Sequence, residues 1–329
     1  MKRRPWARFT EEAMQGRRVT VFGGTGFVGR YIVKRLAAEG ARVRVAARTI
    51  ESAKFLKPAG AVGQIAPVRV SLSHPETIAA AVDGADAVIN AIGILTESSR
   101  NSFRRAHVDG PGAIAAAAAE HGAAAFVHIS AIGADAASES AYARSKAMGE
   151  AAVAEAFPAA TILRPSVIFG PEDDFFNRFA AMARIAPALP LIDGGATKFQ
   201  PVYVGDVAAA ALAALDQATA AGKTFELGGP DVMSFRDVLE YVMAETGRKR
   251  PLLPAPSCAL RPLAALIELL PAPMLTRDQL LLLKQDNIVA EGADSLADLG
   301  VRATAIDAIA PTYLQRYRDG GQFARQSAN

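Results

Sequence analysis

The sequence predicts an α/β protein built on a doubly wound parallel sheet, followed by a smaller, discontinuous C-terminal α/β lobe. Two observations carry the prediction. Apolar runs of strand length alternate with longer helical patterns through the first half of the chain, the punctuation of repeated βαβ units. Beyond Pro165 that rhythm gives way to segments with Pro and Gly at their ends, "GPEDDFFNRFAAMARIAPALPLIDGG" and "GPDVMSFRDVLEYVMAETGRKRPLLPAP". At 329 residues, 51% of them apolar, the chain has enough material to bury a full core.

Taken in order, "RRVTVFG" reads as the first strand, "GRYIVKRLAAEG" as a helix, "ARVRVAAR" as the second strand and "ESAKFLK" as a helix. "IAPVRVSL" is the third strand, "PETIAAAV" a helix and "ADAVINAIG" the fourth strand. A long helix follows at "SFRRAHVDGPGAIAAAAAEHG", then a strand at "AAFVHIS", a helix carrying Tyr142 and a strand at "ATILRPS". "KFQPVYVGDVAAAALAALDQA" resumes the buried alternation and reads as a strand and helix returning to the main sheet. The expected organisation is a basic arm over 1–16, a sheet domain over 17–165 and 197–221, and a smaller lobe over 166–196 and 222–329. The two lobes are expected to enclose a cleft at the carboxyl ends of the strands, where open α/β sheets bind ligands.

Composition excludes several classes. The single cysteine, Cys258, rules out an internal disulfide, and the four histidines, His74, His107, His121 and His128, are too scattered to read as a metal site. The net charge of +3 is modest, and much of it comes from "MKRRPWARF", so a nucleic-acid-binding surface is not expected. The basic opening is followed by "TEEAMQG" rather than an apolar stretch, which argues against a secretory signal and favours a frayed terminus over a partner- or lipid-binding arm. No window reaches the roughly 18 uninterrupted apolar residues of a spanning helix, so any membrane contact is expected to be peripheral, on the cytoplasmic side.

The strongest local signal is "VTVFGGTGFVGRYIVKRL". Gly23, Gly26 and Gly29 follow a strand and open a helix, the context of a dinucleotide-binding (Rossmann) loop. Gly23 permits the tight turn, Gly26 lets the backbone approach a pyrophosphate, and Gly29 lets helix and strand pack closely. The second strand ends in "VAARTIESAK", with Arg48 where an acidic residue would accept hydrogen bonds from the ribose hydroxyls of NAD. A guanidinium pairs with a 2′-phosphate, so NADP(H) is favoured over NAD(H). Lys54 stands near enough in sequence to add charge.

In "SAYARSKAMGE", Tyr142 and Lys146 are four apart, which places both on one helical face. A neighbouring ammonium favours the phenolate, bringing the tyrosine closer to use as a general acid or base. Ser130, ending the preceding strand, is placed to polarise a carbonyl oxygen. Lys146 has a second task available, binding the nicotinamide ribose.

With "GGTGFVG", "NAIG" from Asn90 to Gly93, "VHISAIGA", "YARSK" and "LRPSVIFGP", the chain resembles the short-chain dehydrogenase/reductase superfamily, in its extended or atypical branch. More closely, "YARSKAMGEAAV", "ILRPSVIFGPEDDFFNRFA", "PVYVGDVAAA" and "LTRDQLLLLKQDNIV" resemble the NADPH-binding accessory subunit of respiratory complex I and its bacterial relatives. The resemblance implies a tightly held structural nucleotide, complex I subunits as partners near the membrane surface, and no substrate turnover. It carries nucleotide contacts onto Thr25, Phe27 and Val28 beside the three glycines, Leu72, Ala91, Ile92, Gly93, Ile129, Tyr142, Lys146, Pro165 and Ile168. Ser130, Tyr142 and Lys146 are the catalytic set if any reaction is run. Two departures stand out: His107 replaces the asparagine that helps organise the proton relay of extended reductases, and Ser71 replaces an aspartate that commonly contacts adenine. His107 is expected instead to bond nearby backbone.

"SCALRPLAALIELLPAPMLTRDQLLLL" is unusually apolar, with an apolar run bracketed by Pro262 and Pro271. Internal packing is the favoured reading; contact of 257–283 with a membrane surface or a hydrophobic subunit is the sharper one. The whole chain therefore reads as an NADP(H)-binding accessory subunit of a respiratory NADH:quinone oxidoreductase. The alternative is a free-standing NADP(H)-dependent oxidoreductase or nucleotide-sugar epimerase/dehydratase using Ser130, Tyr142 and Lys146.

Overall fold

The structure is a computed structural model that describes residues 14–98, 101–268 and 275–321. Most of the basic arm, and Pro271 in the apolar stretch, lie outside the described residues. The chain divides into two compact units, the larger formed by residues up to Pro165 with Gly205–Leu227 and Ala290–Arg302, the smaller by Ser166–Val204, Gly228–Val289 and the residues from Ala303 onward.

The larger unit opens with β1 (Arg18–Phe22), α1 (Phe27–Ala38) and β2 (Arg42–Ala47). A 3₁₀ stretch at Glu51–Ala59, β3 (Ile65–Arg69), α2 (Pro75–Val82) and β4 (Ala87–Asn90) come next. A π-helical turn at Arg104–Asp109 runs directly into α3 (Gly110–Glu120), followed by β5 (Ala125–Ile129), α4 (Ala141–Ala156) and β6 (Thr161–Pro165). In the smaller unit come β7 (Ile168–Phe169), α5 (Phe176–Ile185), β8 (Leu189–Ile192), β9 (Lys198–Phe199) and β10 (Val202–Tyr203). The helix α6 (Val204–Asp216) leads back to the larger unit and to β11 (Thr224–Leu227). β12 (Met233–Ser234), α7 (Phe235–Thr246), β13 (Leu252–Ala255), α8 (Ser257–Ile267), α9 (Arg277–Leu282) and α10 (Ile306–Leu314) complete the smaller unit.

Among the described residues, seven strands form one sheet in the order β11-β6-β5-β4-β1-β2-β3, every pairing parallel. The strand order reverses at the β1/β4 junction, the place where such sheets leave a crevice at their carboxyl edge. Burial of whole strands such as β4 follows from helices covering the sheet, which is why the strands read as continuous apolar runs. Phe22, Val88 and Phe126 of the sheet meet Ile78, Ile114 and Val153 of α2, α3 and α4 in one hydrophobic layer.

Two details of the sequence reading are corrected. The segment around Lys198–Tyr203 does not rejoin the main sheet: β9 pairs antiparallel with β12, and β10 pairs parallel with β7. The returning edge strand is β11, beyond the expected boundary at residue 221, and Ala290–Arg302 joins the larger unit beside it, with Glu226 N–H bonded to Asp294 O at 2.8 Å. β11 is short and carries Glu226 among its apolar residues, so its alternation is too brief to read.

The smaller unit has its own core. Phe169, Phe176, Val238 and Leu314 pack together, and Phe199, Phe235, Leu239 and Leu280 form a second cluster. Asp173, 3% exposed, ties the first cluster. Its carboxylate accepts the N–H groups of Gly170 and Asn177, both at 3.1 Å, and the Tyr313 hydroxyl at 2.6 Å. Burial pushes the Asp173 carboxyl up while these donors pull it down. "GPEDDFFNRF" and the "YLQRYRDGG" segment are thus two halves of one contact, extended where Arg316 bonds Asn177 Oδ1 at 2.5 Å.

Candidate functional site

β1 ends at Phe22, and the chain turns at Gly23 with φ of +76°, a conformation that favours glycine. A Cβ there would stand 2.6 Å from the Ala91 carbonyl oxygen, and one on Gly29 would stand 2.1 Å from the Gly23 carbonyl oxygen. Both glycines are therefore fixed by backbone packing. Gly26 differs: it is exposed, and its Cβ would meet only the Gly23 carbonyl oxygen, at 3.2 Å. Gly26 is also the N-cap of α1 and has no side chain to cap the first amides, which leaves them to an anion. Thr25 in the same loop, and Phe27 and Val28 at the start of α1, are half-buried. Arg30, which the sequence reading missed, braces it by donating from Nε to Gly26 O at 3.1 Å and from Nη2 to Thr25 O at 3.4 Å. Its position one turn into the helix is the only sequence signal.

Arg48 follows the last residue of β2 and is exposed. Lys54 is exposed and pairs with Glu51 at 2.5 Å on the surface. Leu72 is half-buried against the α2–α4 layer, and its Cδ1 would meet a Cβ on Gly110 at 2.8 Å. The Ser71 amide bonds Thr77 Oγ1 at 3.0 Å.

Because the strands are parallel, the residues after β1, β4 and β5 share one edge of the sheet. The loop after β4 lies against the glycine turn, since Ala91 N–H bonds Phe22 O at 2.9 Å. Asn90, fully buried, donates from Nδ2 to His128 Nδ1 at 3.1 Å and accepts the Ile92 N–H at 3.2 Å. Gly93 sits with its Cα facing Lys146, whose Nζ would lie 3.6 Å from a Cβ on that glycine. Lys146, 4% exposed, donates from Nζ to the carbonyl of Ile129 at 3.1 Å. Burial lowers its pKa to about 8, with the Glu150 carboxylate opposing the shift. Burial, then the Lys146 charge, lowers His107 and His128 each to about 3, so both rings are neutral at physiological pH. Ser130 is buried, and its Oγ has no hydrogen-bond partner among the described residues. Pro165 is buried at the end of β6, where its carbonyl accepts the Ile132 N–H at 3.0 Å, while Ile168 belongs to the smaller unit.

Tyr142 is half-buried, its ring edge-on to Phe103 at 5.9 Å and to His107 at 5.4 Å between centroids. His107 lies on the π-helical turn, and a Cβ on Gly149 would stand 1.8 Å from its carbonyl oxygen, so α4 and this turn meet backbone to backbone. π turns inside helices recur at functional sites. One turn beyond Lys146, Glu150 is held by Arg164 and thereby supplies a fixed counter-charge. Among the described residues, no group of His, Cys, Asp and Glu stands close enough to hold a metal ion.

A parallel seven-stranded sheet with a glycine turn at its switch point and a Ser, Tyr, Lys set at the same edge defines a nicotinamide-nucleotide protein. The sequence profile of the NAD dependent epimerase/dehydratase family matches residues 19–228, and the chain belongs to that family. The chain is similar to the NADH dehydrogenase [ubiquinone] 1 alpha subcomplex subunit 9, mitochondrial, of Arabidopsis thaliana, with 38% identity over 92% of this chain and 78% of the relative. It is similar also to the NADH-ubiquinone oxidoreductase 40 kDa subunit, mitochondrial, of Neurospora crassa, with 32% identity over 94% of this chain and 82% of the relative. The fold matches the crystal structure of gox2253 with a TM-score of 0.71 at 20% identity, over 94% of this chain and 100% of that one. Family membership implies a nucleotide cofactor, and the open cradle at Gly26 with uncapped amides behind it fits a pyrophosphate.

Proposed function

We propose that the protein is an NADP(H)-binding accessory subunit of a respiratory NADH:quinone oxidoreductase, holding its nucleotide tightly without turnover. The observation that carries the reading is the extent of the similarity to the two respiratory subunits, which covers 92% and 94% of the chain and so includes the smaller unit as well as the nucleotide-binding sheet. The glycine turn, Ala91–Gly93, Ile129, Tyr142 and Lys146 hold the nucleotide in this reading. Arg48, exposed at the end of β2 with no carboxylate in its place, supports a 2′-phosphate and hence NADP(H).

Partners are the other subunits of that oxidoreductase, at the cytoplasmic side of the inner membrane. No helix among the described residues is long and apolar enough to cross a membrane. Leu263 and Leu266 of α8 are 50% and 66% exposed, and Ser257 and Ala264 are the buried residues of that helix, which supports contact of this face with a membrane surface or a hydrophobic subunit. Flotation with liposomes should fall for Leu263→Asp/Leu266→Asp; equal flotation of variant and wild type sinks the membrane contact.

The experiment that tests the main reading is purification from native membranes in mild detergent, scoring partners and nucleotide together. Co-purification with respiratory subunits and a non-exchanging NADP(H) is expected. Recovery as a species free of those subunits, with rapidly exchanging nucleotide, defeats it. Arg48→Asp should weaken NADPH binding strongly, and Tyr142→Phe should leave nucleotide and assembly intact.

The unpartnered Ser130 hydroxyl favours a second reading, a free-standing oxidoreductase or nucleotide-sugar epimerase/dehydratase. A nicotinamide supplies hydride transfer when bound; Ser130 would polarise the substrate oxygen, Tyr142 would move the proton, and Lys146 would orient the ribose. Loss of a cellular reaction in Tyr142→Phe alone decides for it.

A further inference from the structure

We infer that His107 is a positioning residue: a neutral ring, locked in its Nδ1–H tautomer, that clasps the loop after β4 to Ser145 of the tyrosine–lysine helix and so fixes the floor of the nucleotide site. The inference rests on the nucleotide reading above and deepens it.

The hydrogen bonds dictate the tautomer. Nε2 receives the backbone N–H of Ile94 at 3.1 Å, so that nitrogen must offer a lone pair. The proton is then on Nδ1, which lies 2.8 Å from Ser145 Oγ. The Ser145 hydroxyl spends its own proton on the Tyr142 carbonyl at 2.7 Å, leaving its oxygen to accept from the ring. Each polar atom in this chain has one role, and the roles agree in direction.

A second proton has nowhere to go. On Nε2 it would face the Ile94 N–H, and the titratable groups that face the ring are Lys146, which is cationic, His128 and Tyr142. Among the described residues, no carboxylate acts on the ring to stabilise an imidazolium. The ring is also sandwiched, stacked on Phe103 at 5.3 Å and met edge-on by Tyr142. A proton relay through His107 is therefore excluded by geometry before burial is considered.

What the ring does is mechanical. The loop from Ala91 to Ile94 is wedged between the glycine turn and Lys146, and Gly93 in its middle would place a Cβ 4.0 Å from His107 Nε2. If the Ile94 bond is released, the next hydrogen bond holding this stretch is three residues on, where Glu97 Oε1 accepts the Phe103 N–H at 2.6 Å. The close approach of Gly149 to the His107 carbonyl brings Ser145 within reach of the ring, so the π-helical turn and Gly149 are parts of the same device.

Side-chain length separates the two bonds. Glutamine places its terminal oxygen where Nε2 stands and keeps the Ile94 bond; asparagine ends where Nδ1 stands and keeps only the Ser145 bond. The test uses the full-length protein with its co-purified nucleotide. In the wild type, ¹⁵N correlation spectra of the His107 ring should show the neutral Nδ1–H tautomer, unchanged from pH 8 to pH 5. His107→Gln should release nucleotide within about twofold of the wild-type rate, and His107→Asn and His107→Ala about tenfold faster, the loss expected for one hydrogen bond at full effect. The Ile94 amide should exchange slowly in wild type and His107→Gln and fast in the other two, each variant being checked for a cooperative melt. An Nε2–H tautomer, a ring that titrates between pH 5 and pH 8, or equal release from all variants overturns the inference. A wild type with no bound nucleotide defeats the function proposed above instead; tautomer and Ile94 exchange still decide the clasp.

Discussion

Arg164 grips Glu150 through two parallel hydrogen bonds, Nε to Oε1 at 2.9 Å and Nη2 to Oε2 at 2.6 Å, joining β6 to α4 beneath Lys146. A second carboxylate, Glu226 of β11, stands 3.6 Å from Arg164 Nη1. The side chain of Glu150 is only 9% exposed, so removing Arg164 strands a charge away from water. Arg164→Met is expected to cost on the order of 3 kcal/mol in urea denaturation at pH 7. A loss below about 1 kcal/mol, the range of surface pairs, would contradict that role.

Lys146 carries a pKa lowered to about 8 by burial, against an ordinary value of 10.5. Between those values the unfolded chain binds the proton that the folded one has released, so this group's contribution to stability rises with pH from 8 to 10.5. Below pH 8 the burial penalty of the ammonium is present in full. Lys146→Met should therefore be most favourable relative to wild type below pH 8, and the advantage should shrink through that window. Glu150→Gln, which removes the opposing charge, should move the ¹³C-detected titration of Lys146 below pH 8.

His107 and His128 are both lowered to about 3 from 6.5, with burial the larger cause in each. Their folded states are neutral while the unfolded chain takes up protons below pH 6.5, so stability falls as pH drops from 6.5 toward 3. Each ring contributes a slope approaching about 1.4 kcal/mol per pH unit inside the window. Denaturation at pH 7, 6, 5 and 4 should show the steepening, and His128→Leu should remove part of it. An unchanged slope in His128→Leu would contradict burial of a neutral ring.

The three loop glycines should separate by experiment. Gly29→Ala forces a methyl to 2.1 Å from a carbonyl oxygen, and Gly23→Ala adds positive φ to a clash at 2.6 Å, so both should lose stability. Gly26→Ala meets one atom, at 3.2 Å, and should melt near the wild-type temperature while losing retained nucleotide, because its methyl points into the cradle. Unaltered retention in Gly26→Ala would remove the pyrophosphate from that place.

The alternation of apolar runs made the parallel sheet legible from sequence, since buried strands and amphipathic helices differ in period. Gly23, Gly26 and Gly29 were legible because a strand precedes them and a helix follows. Other parts depend on contacts distant in sequence. The π-helical turn at Arg104–Asp109 reads as ordinary helix until Gly149 is seen against the His107 carbonyl. The Arg164–Glu150 pair crosses from strand to helix, and only the position of Glu150 one turn beyond Lys146 hints at it. The pairing of Lys54 with Glu51 at 2.5 Å is one that the helical spacing of the two permits.

The interleaving of the two units bears on how the polypeptide is made. The larger unit recruits Ala290–Arg302, and the smaller one closes when Tyr313 reaches Asp173. Neither half can finish folding on the ribosome while residues 290–313 are still unsynthesised, however early the glycine turn forms. Completion of both units thus waits on residues 290–313, and a nascent chain lacking them carries two incomplete cores at once.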